Sequence, residues 1–122
     1  MASYAFFRQV LPGKLDAWLR YQREMAGPRK EEVAAHLSRL GITKERVWLQ
    51  RTPRGDFIVA YFEADDIQGV FSKAAESQHP FDLWFLQYLT ECFGAGPSGT
   101  IAPLNQPVME FTGKEVLFKL PR

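Results

Sequence analysis

His79 is the residue in this chain whose type and setting most directly suggest chemistry. It stands in Ser77-Gln-His-Pro-Phe-Asp82, and Pro80 beside it suits the first position of a helix because its φ is fixed and it has no N–H to lose. Histidine titrates near neutrality, so an imidazole at a helix junction can pass a proton to or from a bound substrate. The same place suits a cap in which a ring nitrogen serves the following helix, and the sequence leaves both roles open. His36 falls on the helical arc of Trp18 and reads as a partly buried packing residue. Trp48, Gln50, Tyr61 and Trp84 supply aromatic walls with polar handles, suited to a pocket for an aromatic ligand or to packing between subunits.

Other chemistries lack their residues. Cys92 is the only cysteine, which excludes a disulfide within the chain and any cysteine-clustered zinc site; in an apolar helix it reads as an inert buried thiol. Two histidines roughly forty residues apart have no metal-ligand spacing, and Asp65-Asp66 reads as a helix N-cap, so no metal is expected. No nucleophile elbow, phosphate-binding glycine loop or dinucleotide fingerprint occurs; Gly94-Ala-Gly96 follows a helix where a fingerprint must follow a strand. No cofactor is expected. With 15 basic and 14 acidic residues and a net charge of +1, the chain has no electrostatic footprint for nucleic acid or an acidic membrane. Arg8 interrupts the early apolar residues, and no run of about 18 apolar residues occurs, so a cytoplasmic protein without leader or membrane span is expected.

Ser3–Val10 reads as a strand stopped by Pro12-Gly13. Leu15, Trp18, Leu19 and Met25 share a helical face with Val33, Leu37 and Leu40, since eighteen positions make five turns at 3.6 residues each. Gly27-Pro28 within that run implies a kinked helix or two helices in near-continuous line. Gly41 supplies the stop. Glu45–Ala64 reads as a β-hairpin around Thr52-Pro53-Arg54-Gly55. A three-residue loop there sets Thr52 opposite Asp56, Leu49 opposite Val59 and Trp48 opposite Ala60. Phe57–Phe62 is apolar on both alternate sets, so both faces of its sheet should be covered, and 122 residues carry helices enough for one face. The other face therefore calls for a second copy of the chain. Asp65-Asp66 then opens a helix bearing Ile67, Val70, Phe71 and Ala74. Pro80 opens another through Phe93 that is apolar nearly all round. A Gly/Pro/Ser loop over 95–106 leads to strand-like runs at 107–112 and 115–120.

The order is strand, helix, strand, strand, helix, strand, an α+β ferredoxin-like β-α-β-β-α-β arrangement with an antiparallel sheet, helices on one face, a split second helix and a tail strand. One domain over 1–122 is expected, its core at about 3–112 and its tail strand at 115–120. The chain resembles the dimeric α/β-barrel superfamily, most closely a bacterial branch of unknown function. The resemblance rests on Pro12-Gly13-Lys14 entering the first helix, Val47-Trp-Leu-Gln50, Gly55-Asp56 entering a strand that ends Tyr61-Phe-Glu-Ala-Asp-Asp66, and Ser77–Asp82. It implies a homodimer whose sheets pair into a barrel around a cavity for a small apolar or aromatic ligand. It implies, alternatively, a cofactor-independent monooxygenase or cyclase acting on an electron-rich aromatic or polyketide-like substrate. His79 would then be the acid/base, with Tyr61 or Gln50 polarising an oxygen. Haem degradation lacks an Asn-Trp-His constellation.

Overall fold

The first strand, β1 (Ala2–Gln9), ends at a tight turn in which the Lys14 amide bonds the Leu11 carbonyl at 2.9 Å and Gly13 adopts φ 79°. Proline second and a positive-φ glycine third make the type II pattern. Two helices follow, α1 (Leu15–Ala26) and α2 (Lys30–Leu40), so Gly27-Pro28 divides the long amphipathic run. Arg29 secures the junction. It pairs with Glu24 at 2.7 Å and with Glu32, and its guanidinium lies 4.3 Å from the Trp84 ring centroid. In this computed structural model residues 2–94 and 105–121 are described; most of the expected 95–106 loop lies outside them.

β2 (Ile42–Thr52) and β3 (Gly55–Ala64) form the expected hairpin, but in a different register. The loop has two residues, Pro53 and Arg54, and the pairs are Thr52–Gly55, Leu49–Ile58, Trp48–Val59 and Val47–Ala60. The expected partnerships of Leu49 with Val59 and Trp48 with Ala60 do not occur. The cause is local. The Thr52 hydroxyl donates to the Gly55 carbonyl at 2.8 Å and accepts from the Arg54 amide at 3.1 Å, drawing Gly55 into the ladder. Only glycine suits that place: its φ is 134°, and a Cβ there would come within 2.4 Å of the Gln9 amide nitrogen. A one-residue slip exchanges faces between strands. Val47 and Leu49 thus join Ile58, Ala60 and Phe62, while Trp48 and Gln50 join Phe57, Val59 and Tyr61.

A bulge at Thr43 adds a second register change. Ile42 pairs with Ala64 and Lys44 with Glu63, and the Thr43 hydroxyl donates to the Glu63 carbonyl at 3.1 Å. Ile42 and Glu45, three apart, would point to opposite faces of a regular strand; the extra residue puts both on one face.

α3 (Ile67–Glu76) begins at Asp66, whose carboxylate accepts from the Gly69 amide at 2.9 Å, the cap expected of this acidic pair. α4 (Pro80–Phe93) has proline in its first turn and ends at Gly94 with φ 86°. The main sheet has three antiparallel strands in the order β1-β3-β2. Its helix-facing side carries buried Ile58, Ala60, Phe62 and Ala64, which pack with Trp18, Tyr88 and Cys92 at one end and with Leu40, Ile67 and Val70 at the other.

The simple ferredoxin-like arrangement needs a correction. The last strands, β4 (Met109–Phe111) and β5 (Val116–Phe118), pair with each other in a separate sheet instead of extending the first, and no barrel is closed. Gly113 at φ 95° and a Thr112 amide bond to the Glu115 carbonyl at 3.1 Å close the hairpin locally. A short closure costs less chain entropy than a long-range one. Asn105, just ahead of this hairpin, donates from its side chain to the Ala5 carbonyl of β1. The protein is α+β: an antiparallel sheet with helices on one face and a second small sheet.

Candidate functional site

Between the helices and the covered face of the sheet lies a cavity of about 450 Å³. Phe6, Ala60 and Phe62 come to it from the sheet, Leu37 and Leu40 from α2, Val70 and Phe71 from α3, and Phe85 and Leu89 from α4. Into this apolar enclosure the fold brings His36, Asp82, Arg8, Glu45 and Tyr88.

His36 and Asp82 are both buried, at 3% and 7% exposure. Nδ1 of His36 lies 2.6 Å from Oδ1 of Asp82. Arg39, one turn along α2, donates to the same oxygen at 2.5 Å, and the Ser77 hydroxyl donates to Oδ2 at 2.5 Å. Burial works against the Asp82 charge, yet the bonds from Arg39, Ser77 and His36 outweigh it and hold the carboxyl well below the usual carboxylate range. An ionised Asp82 accepts a hydrogen bond from Nδ1–H of His36, which fixes the tautomer and leaves Nε2 with its lone pair. Desolvation lowers the His36 pKa despite the pull of Asp82, favouring the neutral ring. Nε2 has no hydrogen-bond partner among the described residues, and the ring packs 4.6 Å from that of Phe85.

The sheet supplies the other polar groups. Glu45 is on the edge strand and reached by solvent, but the protein crowded around its carboxyl raises its pKa to about 6. Arg8 lies 5.0 Å from the Phe93 ring centroid, and burial lowers its pKa. The Tyr88 hydroxyl accepts from Gln22 at 3.1 Å, and desolvation raises its pKa. Trp18 Nε1 is buried without a fully formed bond, although it sits near enough to Tyr88 to pull that pKa partly back.

The residues singled out from sequence do not gather here. His79 is exposed and caps α4, with Nδ1 accepting from the Phe81 amide at 3.2 Å; it is not among the cavity's lining residues. Trp48, Gln50 and Tyr61 lie on the opposite, open face of the sheet, where Tyr61 donates to Glu63 at 2.6 Å. Gln50 helps line a shallow hollow of about 440 Å³ there with Phe7, Phe57 and Val59. Trp84 packs in the helical layer against Tyr21 and Phe81. Cys92 is fully buried, and burial raises its thiol to about 11. Among the described residues no group of three His, Cys, Asp or Glu is placed to hold a metal ion, and no helix is long and apolar enough to cross a membrane.

Of the polar groups that do gather, the sequence singles out His36 alone, and as a packing residue. An acidic residue in the first turn of a helix has an ordinary explanation in the helix dipole, and so has a histidine on an apolar arc in packing. The one available signal was Asp82 itself, an acid among apolar residues in the first turn of α4.

The profile of a family of unknown function (DUF6176) matches residues 6–108. The chain belongs to that family. The part matching DUF6176 runs from β1 through α4 and so contains every cavity group named above, while β4 and β5 lie beyond it. No curated protein and no solved structure matches the chain.

Proposed function

We propose that this protein binds a small, largely aromatic molecule in the cavity between its sheet and helices, and that it works as a homodimer of the dimeric α/β-barrel kind. The cavity carries the reading. At about 450 Å³ it is some three times the roughly 150 Å³ that holds one benzene ring, a size that suits a two- or three-ring ligand. Its walls are aromatic and aliphatic, with a few convergent polar groups, the usual composition of a small-molecule site.

The open face of the sheet supports the homodimer. Phe7 is 72% exposed and Trp48 48%, beside Phe57, Val59 and Tyr61. The β4–β5 hairpin leaves Phe111 and Phe118 at 60% and 69%. Contiguous apolar surface of this kind marks an association site. Covering a few hundred Å² of it per subunit, at about 25 cal/mol per Å², gives ample driving force. The monooxygenase or cyclase reading that makes His79 the acid/base draws no support from an exposed helix cap.

Titration of two- and three-ring aromatic hydrocarbons, followed by amide NMR, tests the cavity. Shifts should concentrate at Ala60, Phe62, Val70 and Phe85. Ala60→Leu, which fills the floor, should weaken binding at least tenfold. Shifts confined to Phe7, Trp48 and Val59 would move the site to the open face.

A further inference from the structure

We propose that Nε2 of His36 accepts the hydroxyl proton of a phenolic or enolic ligand held in the cavity, with Asp82 as the group that positions it. The inference rests on the cavity reading and specifies the ligand's chemistry.

Three observations carry it. His36 is 3% exposed and lines the cavity. Its Nδ1 is committed to Asp82 at 2.6 Å, and Nε2 is without a partner among the described residues. Nε2 is not sealed off, since the buried side-chain atom left without a partner among the described residues is Trp18 Nε1; an acceptor open to a ligand-sized space can take a donor from the ligand. The Asp82 carboxylate has its own partners in Arg39 and Ser77, so it stays ionised and fixed while His36 changes state.

The surroundings select the donor. The charged and titratable groups around His36 are Asp82, Tyr88 and the capping His79 from α4 and its N-terminus, Arg39 from α2 itself, and Arg8 and Glu45 from the sheet side of the cavity. α3 brings apolar walls: Val70, Phe71 and Ala74. A carboxylate ligand would meet two acids, Asp82 and Glu45. A cation would meet a neutral ring and Arg8. A neutral aromatic hydroxyl satisfies Nε2 and the apolar walls together. When the proton passes, the ligand O–H bond breaks and an N–H bond forms at Nε2, with the electron pair left on the ligand oxygen. Nothing is oxidised or reduced. The imidazolium is balanced by Asp82, and Arg8 supplies positive charge to the same enclosure.

The test compares 4-nitrophenol with 4-nitroanisole, its methyl ether, on protein carrying ¹⁵N-labelled histidine. The chain has two histidines, and His79, outside the cavity, is the internal control. At neutral pH the free protein should show His36 with its proton on Nδ1. 4-Nitrophenol should bind roughly tenfold more tightly than the ether, as expected for one hydrogen bond to the ring nitrogen. It should shift Nε2 of His36 and leave His79 unmoved. His36→Phe should bring the two affinities together while the ether still binds. Equal binding of both compounds with His36 unmoved would overturn the inference and leave the cavity reading standing. Binding of neither would overturn both. Should His36→Phe fail to fold, the wild-type comparison and the Nε2 shift decide alone.

Discussion

Asp82 on α4 and His36 on α2, 46 positions apart, meet at 2.6 Å with side chains 3% and 4% exposed. This pair joins the two halves of the helical layer at the wall of the cavity. Arg39 extends it toward solvent, since its side chain is 32% exposed. The carboxylate thus connects a buried imidazole to a half-buried guanidinium, and an alteration in Asp82 is felt by both.

Asp82→Ala should destabilise the fold by about 3 kcal/mol. That is the lower end for breaking a buried ion pair, because Arg39 can turn to water while His36 cannot. Urea denaturation of the two proteins measures it, and a loss below about 1 kcal/mol would mean that the network contributes little.

The pH profile separates the two members. Folding lowers the His36 pKa, so between the folded value and about 6.5 the unfolded chain binds a proton that the folded one does not. Stability should therefore fall as pH drops through about 6.5. The depressed Asp82 carboxyl gives stability that is present above its unfolded value of about 3.9 and is lost as pH falls below it. Glu45, raised to about 6, works in the opposite sense between its unfolded value and about 6, so Glu45→Gln is the right background. In it, His36→Phe should flatten the upper step and keep the lower one. A profile unchanged by His36→Phe would assign the upper step to another group.

The wild-type protein should sediment at twice its chain mass of 14.0 kDa at low micromolar concentration. Phe7→Glu should convert it to a monomer with unchanged helical content, because Phe7 is largely exposed in the single chain and placing a charge there costs little until a partner covers it. Val59→Asp should act in the same direction, and Arg54→Asp, in the hairpin turn, should alter neither assembly nor melting temperature. A wild-type monomer would overturn the pairing of sheets.

His79→Ala removes the acceptor for the Phe81 amide and should cost on the order of 1 kcal/mol, the usual worth of a cap. Aromatic binding in the cavity should be unchanged. A selective loss of binding with an unchanged melting temperature would return His79 to the site.

Several elements could be read from sequence because their causes lie within a few residues. Pro12-Gly13 demands a turn, Asp66 offers an oxygen to an amide three positions on, Pro80 suits the first turn of a helix, and Gly41 and Gly94 accept the positive φ that ends one. The apolar run Phe57–Phe62 likewise announced a sheet with two apolar faces. Tertiary structure decided what local signals leave degenerate. The Thr52 hydroxyl chose the loop length and with it the face of every β2 residue relative to β3, and the Thr43 bulge turned Glu45 toward the helices. Packing of α2 against α4 turned an ordinary core histidine and an ordinary first-turn acid into one buried pair. A side chain's partner across 46 positions depends on how two helices are rotated about their axes. Neither helix's own periodicity fixes that rotation; it is set by the packing of both helices onto one sheet.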